Sequence, residues 1–398
     1  MAPVATSPVT APRGRIASID VMRGLIMVVM ALDHTRDFWS NADFDPADPA
    51  TSTPAYFATR WITHLCAPWF MVLAGAGAWL SLGRGRDRGA LSRFLLTRGL
   101  WLIVLEFTLV KLAWEGPWVD FEHVRLLVLW ALGCSMIVLA GLVHLPMRAI
   151  VAFGLTLVLG HNLLDAINPQ DLGAWSWLWK VLHVQSSFGA PAGKGFGVQV
   201  LYPLVPWIGV MALGYAFGAL VDQPALRDDP GRRARLFAVA GVALLATFAV
   251  VRSINRYGNL VPWTHQATTA RTVMSFFAVT KYPPSLDFLL ATVGIGLLLL
   301  AAIERARGPV AAALGVLRTY GRVPLLFYVL HVYLLAGAAN VAYRIAVGAW
   351  PSDDGPAWGV DLPVVYAVWA AAVIALYPVC RWFASVKERR RDRWLGYL

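Results

Sequence analysis

One stretch near the start of the chain decides the fold: Ala17-Ser-Ile-Asp20-Val-Met-Arg23-Gly-Leu-Ile-Met-Val-Val-Met-Ala-Leu-Asp33-His34-Thr-Arg36-Asp37. An unbroken apolar run lies between two charged ends, and about 20 apolar residues span the hydrocarbon core of a bilayer. Charged side chains within a span are costly in lipid, so they usually face the interior of a helix bundle. The stretch therefore predicts a membrane-spanning helix with a polar face.

The rest of the chain repeats this apolar pattern. Apolar residues make up 58% of the 398 residues and charged residues 14%, against about 25% charged residues in soluble domains. We predict an all-α, polytopic transmembrane helix bundle whose domain covers 17–383, between an N-terminal segment, 1–16, and a basic tail, 384–398. The apolar runs predict about ten spans, at about 17–35, 56–82, 94–112, 124–143, 148–164, 201–221, 236–252, 285–303, 322–345 and 362–383.

The basic residues orient this bundle. The formal net charge is +11, with 34 Lys and Arg residues, and a strongly basic chain can also indicate nucleic-acid binding. Lys and Arg, however, accumulate in the cytoplasmic loops of membrane proteins. We therefore predict that both termini are cytoplasmic, and we exclude nucleic acid as a partner. Most basic residues fall on the predicted inner side, at Arg13–Arg23, Arg84–Arg98, Arg148, Arg227–Arg235, Arg305–Arg322 and Arg381–Arg393.

The cysteines and histidines lack the spacing of a known metal centre. No H-E-x-x-H motif is present. Neither a disulfide framework nor a thiolate cluster is predicted, because apolar runs contain all three cysteines, Cys66, Cys134 and Cys380. We expect no metal, although residue type alone leaves open a zinc site built from His34, His64, His123 and His331.

The polar residues of the first helix share one face. Arg23 and His34 are eleven positions apart, which places them about 20° apart around the helix and about 16 Å apart along it. Asp20 lies on the same face. This face predicts a lined channel with a cation towards the inner side and an imidazole towards the outer side.

Two carboxylates compete as partners of His34. Asp37 lies about one turn further along nearly the same face and is the predicted partner of one ring nitrogen, with Asp33 as the weaker partner. In the alternative interpretation, Asp33 and Arg36 form an ion pair that merely ends the helix, and His34 is an interfacial histidine.

Other polar or aromatic residues enter three later spans. His64 and Trp69 lie in the second span, Glu106 in the third, and Tyr328 and His331 in the ninth. Ionisable groups within spans often mark a functional site, and we predict that these residues line one. In the alternative, His64 is a satisfied core histidine, and Glu106 is a structural ion pair or a protonated acid.

The long segment 166–200 is not a clean span. Trp175, Trp177 and Trp179 surround Lys180, and indole rings favour the headgroup zone of a bilayer. The pattern predicts an interfacial helix that anchors the surface, while a lid over an outward-facing pocket is the second interpretation.

Five segments together resemble a known family. The chain resembles the bacterial relatives of the heparan-alpha-glucosaminide N-acetyltransferase catalytic domain, within the transmembrane acyltransferase superfamily. The resemblance implies a bundle of about ten helices that takes an acyl group from cytoplasmic acyl-CoA and transfers it to an acceptor on the far side. The segments are Arg15-Ile-Ala-Ser-Ile-Asp20-Val-Met-Arg23-Gly24, Asp33-His34, Ile62-Thr-His64-Leu-Cys-Ala-Pro68-Trp69-Phe70-Met-Val-Leu-Ala-Gly75, Lys281-Tyr282-Pro283-Pro284-Ser285 and Tyr320-Gly321-Arg322-Val-Pro324-Leu-Leu-Phe-Tyr328-Val-Leu-His331.

The resemblance also implies a catalytic residue. The spacing of Arg23 and His34 is similar to that of the arginine and histidine of related acyltransferases that O-acetylate surface polysaccharides, in which the histidine is catalytic. His34 is thus the expected general base, oriented by Asp37 or Asp33. The lysosomal enzyme is thought to use a histidine in the loop after the corresponding helix, and residues 38–60 contain none.

The expected donor is acyl-CoA, in particular acetyl-CoA. Its phosphates are expected near Arg23, Arg98 and Arg322, although the superfamily's cytoplasmic arginine doublet is absent in its strict form and Arg93 and Arg98 are the nearest equivalents. The expected acceptor is a glycan or another small molecule. The expected location is the bacterial inner membrane, with the lipid bilayer as a partner.

Two other functions fit the same residues. A proton-coupled transporter of a small polar solute would use Asp20, Glu106 and His331 as a proton relay, although the sequence has no strong inverted repeat. A scaffold or regulator with a degenerate site would not bind CoA.

Overall fold

Helices form where the apolar runs lie. The computed structural model describes residues 15–83, 85–116, 119–190, 195–352, 355–390 and 392–397. Most of the predicted N-terminal segment 1–16 lies outside the described residues, as do the basic residues Arg13, Arg84 and Arg391 and part of the 166–200 segment.

The helices follow one another in this order: α1 (Ala17–Trp39), α2 (Pro54–Thr63), α3 (Cys66–Leu82), α4 (Arg88–Leu105), α5 (Lys111–Glu115), α6 (Val128–Leu142), α7 (Met147–Gly160), α8 (Ser176–His183), α9 (Leu204–Val221), α10 (Pro224–Arg227), α11 (Pro230–Ile254), α12 (Thr269–Phe277), α13 (Leu286–Arg305), α14 (Gly308–Arg322), α15 (Pro324–Val347) and α16 (Leu362–Arg389). Each of the ten predicted spans coincides with one of these helices or with a pair of them.

Seven helical stretches in the described part of the chain are long and apolar enough to cross a membrane: Pro54–Leu82, Met147–Leu164, Leu204–Val221, Pro230–Ile254, Leu286–Arg305, Pro324–Val347 and Leu362–Arg389. The other three predicted spans differ because α1 is charged near both ends, α4 contains three arginines, and α6 has 15 residues. A mostly helical, multi-pass bundle is therefore confirmed, while the count of ten spans and the cytoplasmic termini stay predictions.

The expectation of an all-α fold is wrong in one respect, because three short segments outside the helices form a small sheet. The strand β1 (His123–Leu126) pairs in parallel with β3 (Gly197–Val200), and β3 pairs antiparallel with β2 (Ser186–Gly189). The prediction of a span at 124–143 missed β1, because a strand of four residues within an apolar run is too short to show a pattern different from that of a helix.

Two predicted spans are also less regular than expected. The second consists of α2 and α3, separated by a turn at His64 and Leu65. The third leaves α-helical geometry at a π-helical turn, Glu106–Val110, before α5 begins. Such turns occur often at functional sites, and this one presents Glu106 to the interior.

Small residues set the closest helix contacts. At the crossing of α1 and α14, a Cβ on Gly24 would lie 1.7 Å from the carbonyl oxygen of Leu317, and one on Gly321 would lie 1.9 Å from that of Asp20. Glycine pairs let backbones approach in this way in membrane bundles. The crossing places the inner half of α1 directly against the turn that leads into α15.

The first helix occupies the middle of the bundle. It packs against α3, α13, α14, α15 and α16, and Asp20, Thr35 and Arg36 are buried along its length. Because its neighbours come from most of the chain, the polar face of α1 meets side chains that are distant in sequence.

The predicted interfacial helix corresponds to α8. Trp175 and Trp177 are exposed, while His183 at its end is buried. The described residues around α8 are compatible with the anchor interpretation, and the lid interpretation stays untested.

Candidate active site

Two histidines meet at the C-terminal half of α1. His34 Nδ1 lies 2.7 Å from His331 Nε2 on α15, and the two rings stack 4.9 Å apart. His331 Nδ1 also lies 2.8 Å from the carbonyl oxygen of Phe327. Because a carbonyl oxygen only accepts, His331 Nδ1 carries the proton and donates it there. His331 Nε2 is then the acceptor for His34 Nδ1–H, which leaves the lone pair of His34 on Nε2.

Aromatic rings enclose this pair. The Trp114 ring meets His34 edge-on at 5.0 Å, and the Tyr328 ring meets it edge-on at 6.1 Å. Phe327 stacks on the far face of the pair, 5.1 Å from His331. His331 is fully buried, whereas His34 is partly exposed. The environment thus fixes the tautomer of His34 and keeps its surroundings largely dry.

The two carboxylates that the sequence predicts as partners of His34 contact arginines instead. Both oxygens of Asp33 lie 2.7 Å from Arg60 Nη1, and Thr63 donates to Oδ1 at 2.9 Å. Arg36 Nη2 lies 2.7 Å from both Asp33 and Asp37. The predicted hydrogen bond between Asp37 and His34 is not among the contacts of the described residues, and the alternative ion pair of Asp33 with Arg36 is present. The sequence argument assigned these carboxylates to His34 because helix periodicity does not include Arg60, which lies on another helix.

Further polar groups lie close to Asp33. Lys281 is 8% exposed, and its Nζ lies 5.1 Å from the ring centre of Tyr282. The Tyr282 hydroxyl donates to that of Tyr202 at 3.3 Å. Burial alone would raise the pKa of Tyr282, but the nearby charges of Lys281 and Arg60 outweigh it and lower this pKa. On this side of the site, buried and partly buried groups therefore form a cationic, hydroxyl-lined surface.

His64 lies beside this surface. It is buried, its ring meets Phe288 edge-on at 5.3 Å, and its Nδ1 has no hydrogen-bond partner among the described residues.

A cavity of about 550 Å³ runs into the bundle from the opposite end. Seven basic residues line it, together with one carboxylate from the described residues, Asp20. The basic lining residues are Arg15, Arg23, Arg86, Arg98, Arg227, Arg322 and Lys387. The three arginines that the sequence analysis assigned to a donor, Arg23, Arg98 and Arg322, are therefore brought together.

Backbone and side-chain contacts hold these cations around the mouth of the cavity. Arg23 donates to Asp20 at 3.0 Å and to the carbonyl oxygen of Gly321 at 3.1 Å. Arg98 donates to the carbonyl oxygen of Gly396, and Arg322 contacts Glu388. The Arg86 guanidinium lies 4.0 Å above the ring of Phe94, and burial lowers its pKa. The mouth is thus a preformed concentration of positive charge.

The cavity becomes apolar as it deepens. Its inner wall includes Met27, Leu102, Leu129 and Leu325, and it ends at Tyr328. Tyr328 is also the residue whose ring contacts His34. A long molecule with an anionic end at the mouth can therefore extend through an apolar passage towards the histidine pair.

Two predicted lining residues also make structural contacts. Trp69 is fully buried, donates to the carbonyl oxygen of Thr292 at 3.1 Å, and does not line the cavity. Glu106 accepts the backbone N–H groups of Leu129 and Trp130, so it caps the start of α6. These hydrogen bonds give each of the two residues a structural role within its span.

Sequence reasoning missed several members of the site. The sequence analysis does not single out Arg60, and it includes Lys281 and Tyr282 only as part of a resembling segment. Arg86 and Lys387 enter it only within the excess of basic residues on the predicted inner side. The signal that could have singled out Arg86 and Lys387 was the concentration of basic residues at the predicted inner ends of several spans.

One comparison with known proteins identifies a family. The model described as heparan-alpha-glucosaminide N-acetyltransferase, catalytic, matches residues 15–250. The matched range contains His34 and Arg60 and most residues of the cavity, while Tyr328 and His331 lie beyond it. Among curated proteins, none matches the chain.

Proposed function

The chain belongs to the heparan-alpha-glucosaminide N-acetyltransferase catalytic family, and from that membership we propose that it is an integral membrane acyltransferase. It takes an acyl group, an acetyl group in the simplest case, from cytoplasmic acyl-CoA and transfers it to a hydroxyl or amine of a sugar or similar acceptor. The acceptor binds at the outer side, and the protein resides in a bacterial inner membrane with both termini in the cytoplasm.

One observation carries this proposal. The cavity begins among seven basic side chains and ends at Tyr328, which contacts His34. CoA has the matching distribution of chemistry, since its phosphates are anionic and its long arm ends in a thioester. Arginine binds phosphate by several directed hydrogen bonds, so Arg23, Arg98 and Arg322 bind the nucleotide end. The apolar passage then accommodates the arm.

The histidine pair supplies the proton transfer. As the acceptor oxygen or nitrogen attacks the thioester carbonyl carbon, His34 Nε2 takes the acceptor's proton. The tetrahedral intermediate collapses, the carbon–sulfur bond breaks, and the imidazolium returns the proton to the departing CoA thiolate. His331 accepts from His34 Nδ1–H throughout and so maintains the reactive tautomer.

Lys281 and Tyr282 make the outer surface suitable for the acceptor. Arg60 is neutralised by Asp33, whereas Lys281 leaves a positive charge beside a hydroxyl group. Hydroxyl-rich molecules with acidic substituents fit this surface. Asp33 acts on the site through Arg36 and Arg60 and positions α2 against α1, while Asp37 contacts Arg36 of its own helix.

The direct test is CoA release by purified protein in detergent. Wild-type protein with acetyl-CoA should release free thiol faster when a glycan acceptor panel is added. The His34→Ala variant should lose about 10²- to 10⁴-fold of that rate, the usual contribution of a positioned general base. The control is His144→Ala, because His144 is exposed on the predicted inner side. Equal turnover by wild type and His34→Ala across the panel would refute the catalytic assignment.

The same protein distinguishes the alternative functions. Thermal stabilisation by CoA, and none by candidate solutes or ions, supports the enzyme. Proton-coupled uptake into proteoliposomes without thiol release would instead support a transporter, and absence of CoA binding would support a scaffold.

A further inference from the structure

A second group of ligand-type side chains lies apart from the histidine pair. His161 begins a 3₁₀ turn, His161–Leu164, directly after α7, and Asp165 follows that turn. His183 is the last residue of α8. One ligand atom from each of the three residues lies within 4.8 Å of the others. The proposed acyl transfer does not use this group.

The two imidazoles are buried without the partners that buried imidazoles normally have. His161 and His183 are each 1% exposed. In the part of the chain that the structure describes, neither nitrogen of His161 has a hydrogen-bond partner, and His183 Nδ1 has none. Buried polar atoms are almost always paired in proteins, so these nitrogens point to a ligand.

The carboxylate is held in place from both sides. Asp165 Oδ1 lies 2.9 Å from His183 Nε2, and Asp165 Oδ2 accepts from Asn162 Nδ2 at 2.8 Å. The Asn162 side-chain oxygen Oδ1 in turn accepts from the backbone N–H of Leu286 at 2.9 Å. Metal ligands are typically oriented by such neighbours.

We propose that His161, Asp165 and His183 bind a divalent transition-metal ion, with Zn²⁺ as the best match to the donor set. Two imidazoles and one carboxylate form a common ligand set of zinc, at about 2.0–2.2 Å from the ion. The 2.9 Å separation of His183 and Asp165 is already close to that of two ligands on one ion. Small side-chain rotations bring in His161. Asp165 is 18% exposed, so a water molecule can complete the coordination from its side.

The metal ion joins two parts of the outer structure. His161 and Asp165 belong to the end of α7, while His183 belongs to α8, whose chain continues into β2. Bound metal therefore fixes the Trp-rich helix α8 to a membrane-spanning helix. Under this proposal α8 is a fixed anchor, and it does not open as a lid.

The first experiment uses the full-length wild-type protein without a histidine tag. The protein in detergent is stripped with a chelator and titrated with Co²⁺, and Zn²⁺ is then added in competition. We expect one equivalent of metal with the ligand-field absorption of four-coordinate Co²⁺, and its loss as Zn²⁺ replaces it. X-ray absorption of the zinc form should report two imidazole ligands with the remaining ligands oxygen. A binding stoichiometry near zero, or a shell with sulfur or without imidazole, overturns the proposal.

Variants then assign the site. His161→Gln and His183→Gln should each weaken metal binding by at least tenfold, and Zn²⁺ should no longer raise their melting temperature. His265→Ala should bind as wild type, because His265 is an exposed histidine of a neighbouring outer segment. Equal metal affinity in wild type and in the two Gln variants overturns the assignment. If a variant does not fold, the wild-type spectroscopy still decides. None of these readouts depends on acyl transfer.

Discussion

His34 and His331 are separated by 297 positions in the chain, yet their ring nitrogens lie 2.7 Å apart. The rings are within 8° of parallel, and the Phe327 carbonyl oxygen determines which nitrogen of His331 carries the proton. The tautomer of a histidine on the first helix is therefore determined by a backbone group of the fifteenth. This dependence gives a prediction that separates hydrogen bonding from packing.

Replacement of His331 should reduce turnover, and the size of the reduction should depend on whether the new side chain can accept the hydrogen bond from His34 Nδ1–H. His331→Phe keeps an aromatic ring but leaves His34 Nδ1–H without an acceptor, while His331→Asn offers an amide oxygen. An unsatisfied buried donor costs about 1–3 kcal/mol, so kcat of the Phe variant should fall about 10- to 100-fold. The Asn variant should retain more activity, with KM for acetyl-CoA little changed in both. If the Phe variant is the more active of the two, packing and not hydrogen bonding is what His331 supplies.

Replacement of a cavity arginine should weaken donor binding and leave chemistry intact. Hydrogen bonds to charged groups contribute about 1.5–3 kcal/mol, so Arg98→Gln should raise KM for acetyl-CoA about 10- to 100-fold at unchanged kcat. Arg232→Gln is the control, since the Arg232 side chain is 64% exposed. Initial rates against donor concentration give both constants. A fall in kcat with constant KM would contradict the assignment of Arg98 to the donor.

The two candidate carboxylates of α1 should differ in their effect on stability. Asp33→Asn leaves Arg36 and Arg60 with an uncompensated charge, and breaking a buried ion pair costs about 3–5 kcal/mol. Asp37 is 38% exposed, so Asp37→Asn should cost about 0–1 kcal/mol. Thermal unfolding in detergent compares the pair. Equal melting temperatures would mean that Asp33 is not the residue that joins α1 to α2.

The crossing of α1 and α14 should not tolerate a methyl group. Gly24→Ala would place a Cβ 1.7 Å from the Leu317 carbonyl oxygen, so the helices must move apart, and we expect a loss of at least about 3 kcal/mol, the upper end of overpacking costs. In Gly337→Ala the new Cβ has no neighbour within 4 Å, and stability should stay the same or rise by up to about 1 kcal/mol. Thermal unfolding of both variants provides the measurement. A stable Gly24→Ala protein would disprove the close approach.

Periodicity along a single helix accounts for what the sequence predicted well. The run 17–37 predicted α1, its polar face, and the relation of Arg23 to His34, because these follow from the rotation per residue. The same reasoning could not find Arg60 or His331, since no local pattern encodes which helices become neighbours. Asp37 was favoured over Asp33 as the partner of His34 on one helical wheel, whereas the structure shows both carboxylates bound to arginines.

Charge counting had a similar limit. The basic residues at the predicted inner ends of the spans were interpreted as a signal of membrane orientation. That interpretation does not specify their positions around a cavity. Arg86 lies in the segment before α4 and Lys387 lies on α16, so they converge at the cavity only when the bundle has folded. The strand β1 was missed for the opposite reason, because four residues are too short to reveal a period.

The charges of α1 also bear on how the protein is made. α1 is not among the helices that are apolar enough to cross a membrane by themselves, and Asp20, Arg23 and Asp33 need partners to remain in lipid. Arg60 is synthesised soon after α1, but Gly321 and His331 emerge from the ribosome only when most of the bundle has been inserted. We therefore expect α1 to complete its insertion late, after the helices that stabilise it have been inserted. Only chains that have been translated beyond α15 then acquire activity. Incomplete chains in the membrane therefore lack the assembled site.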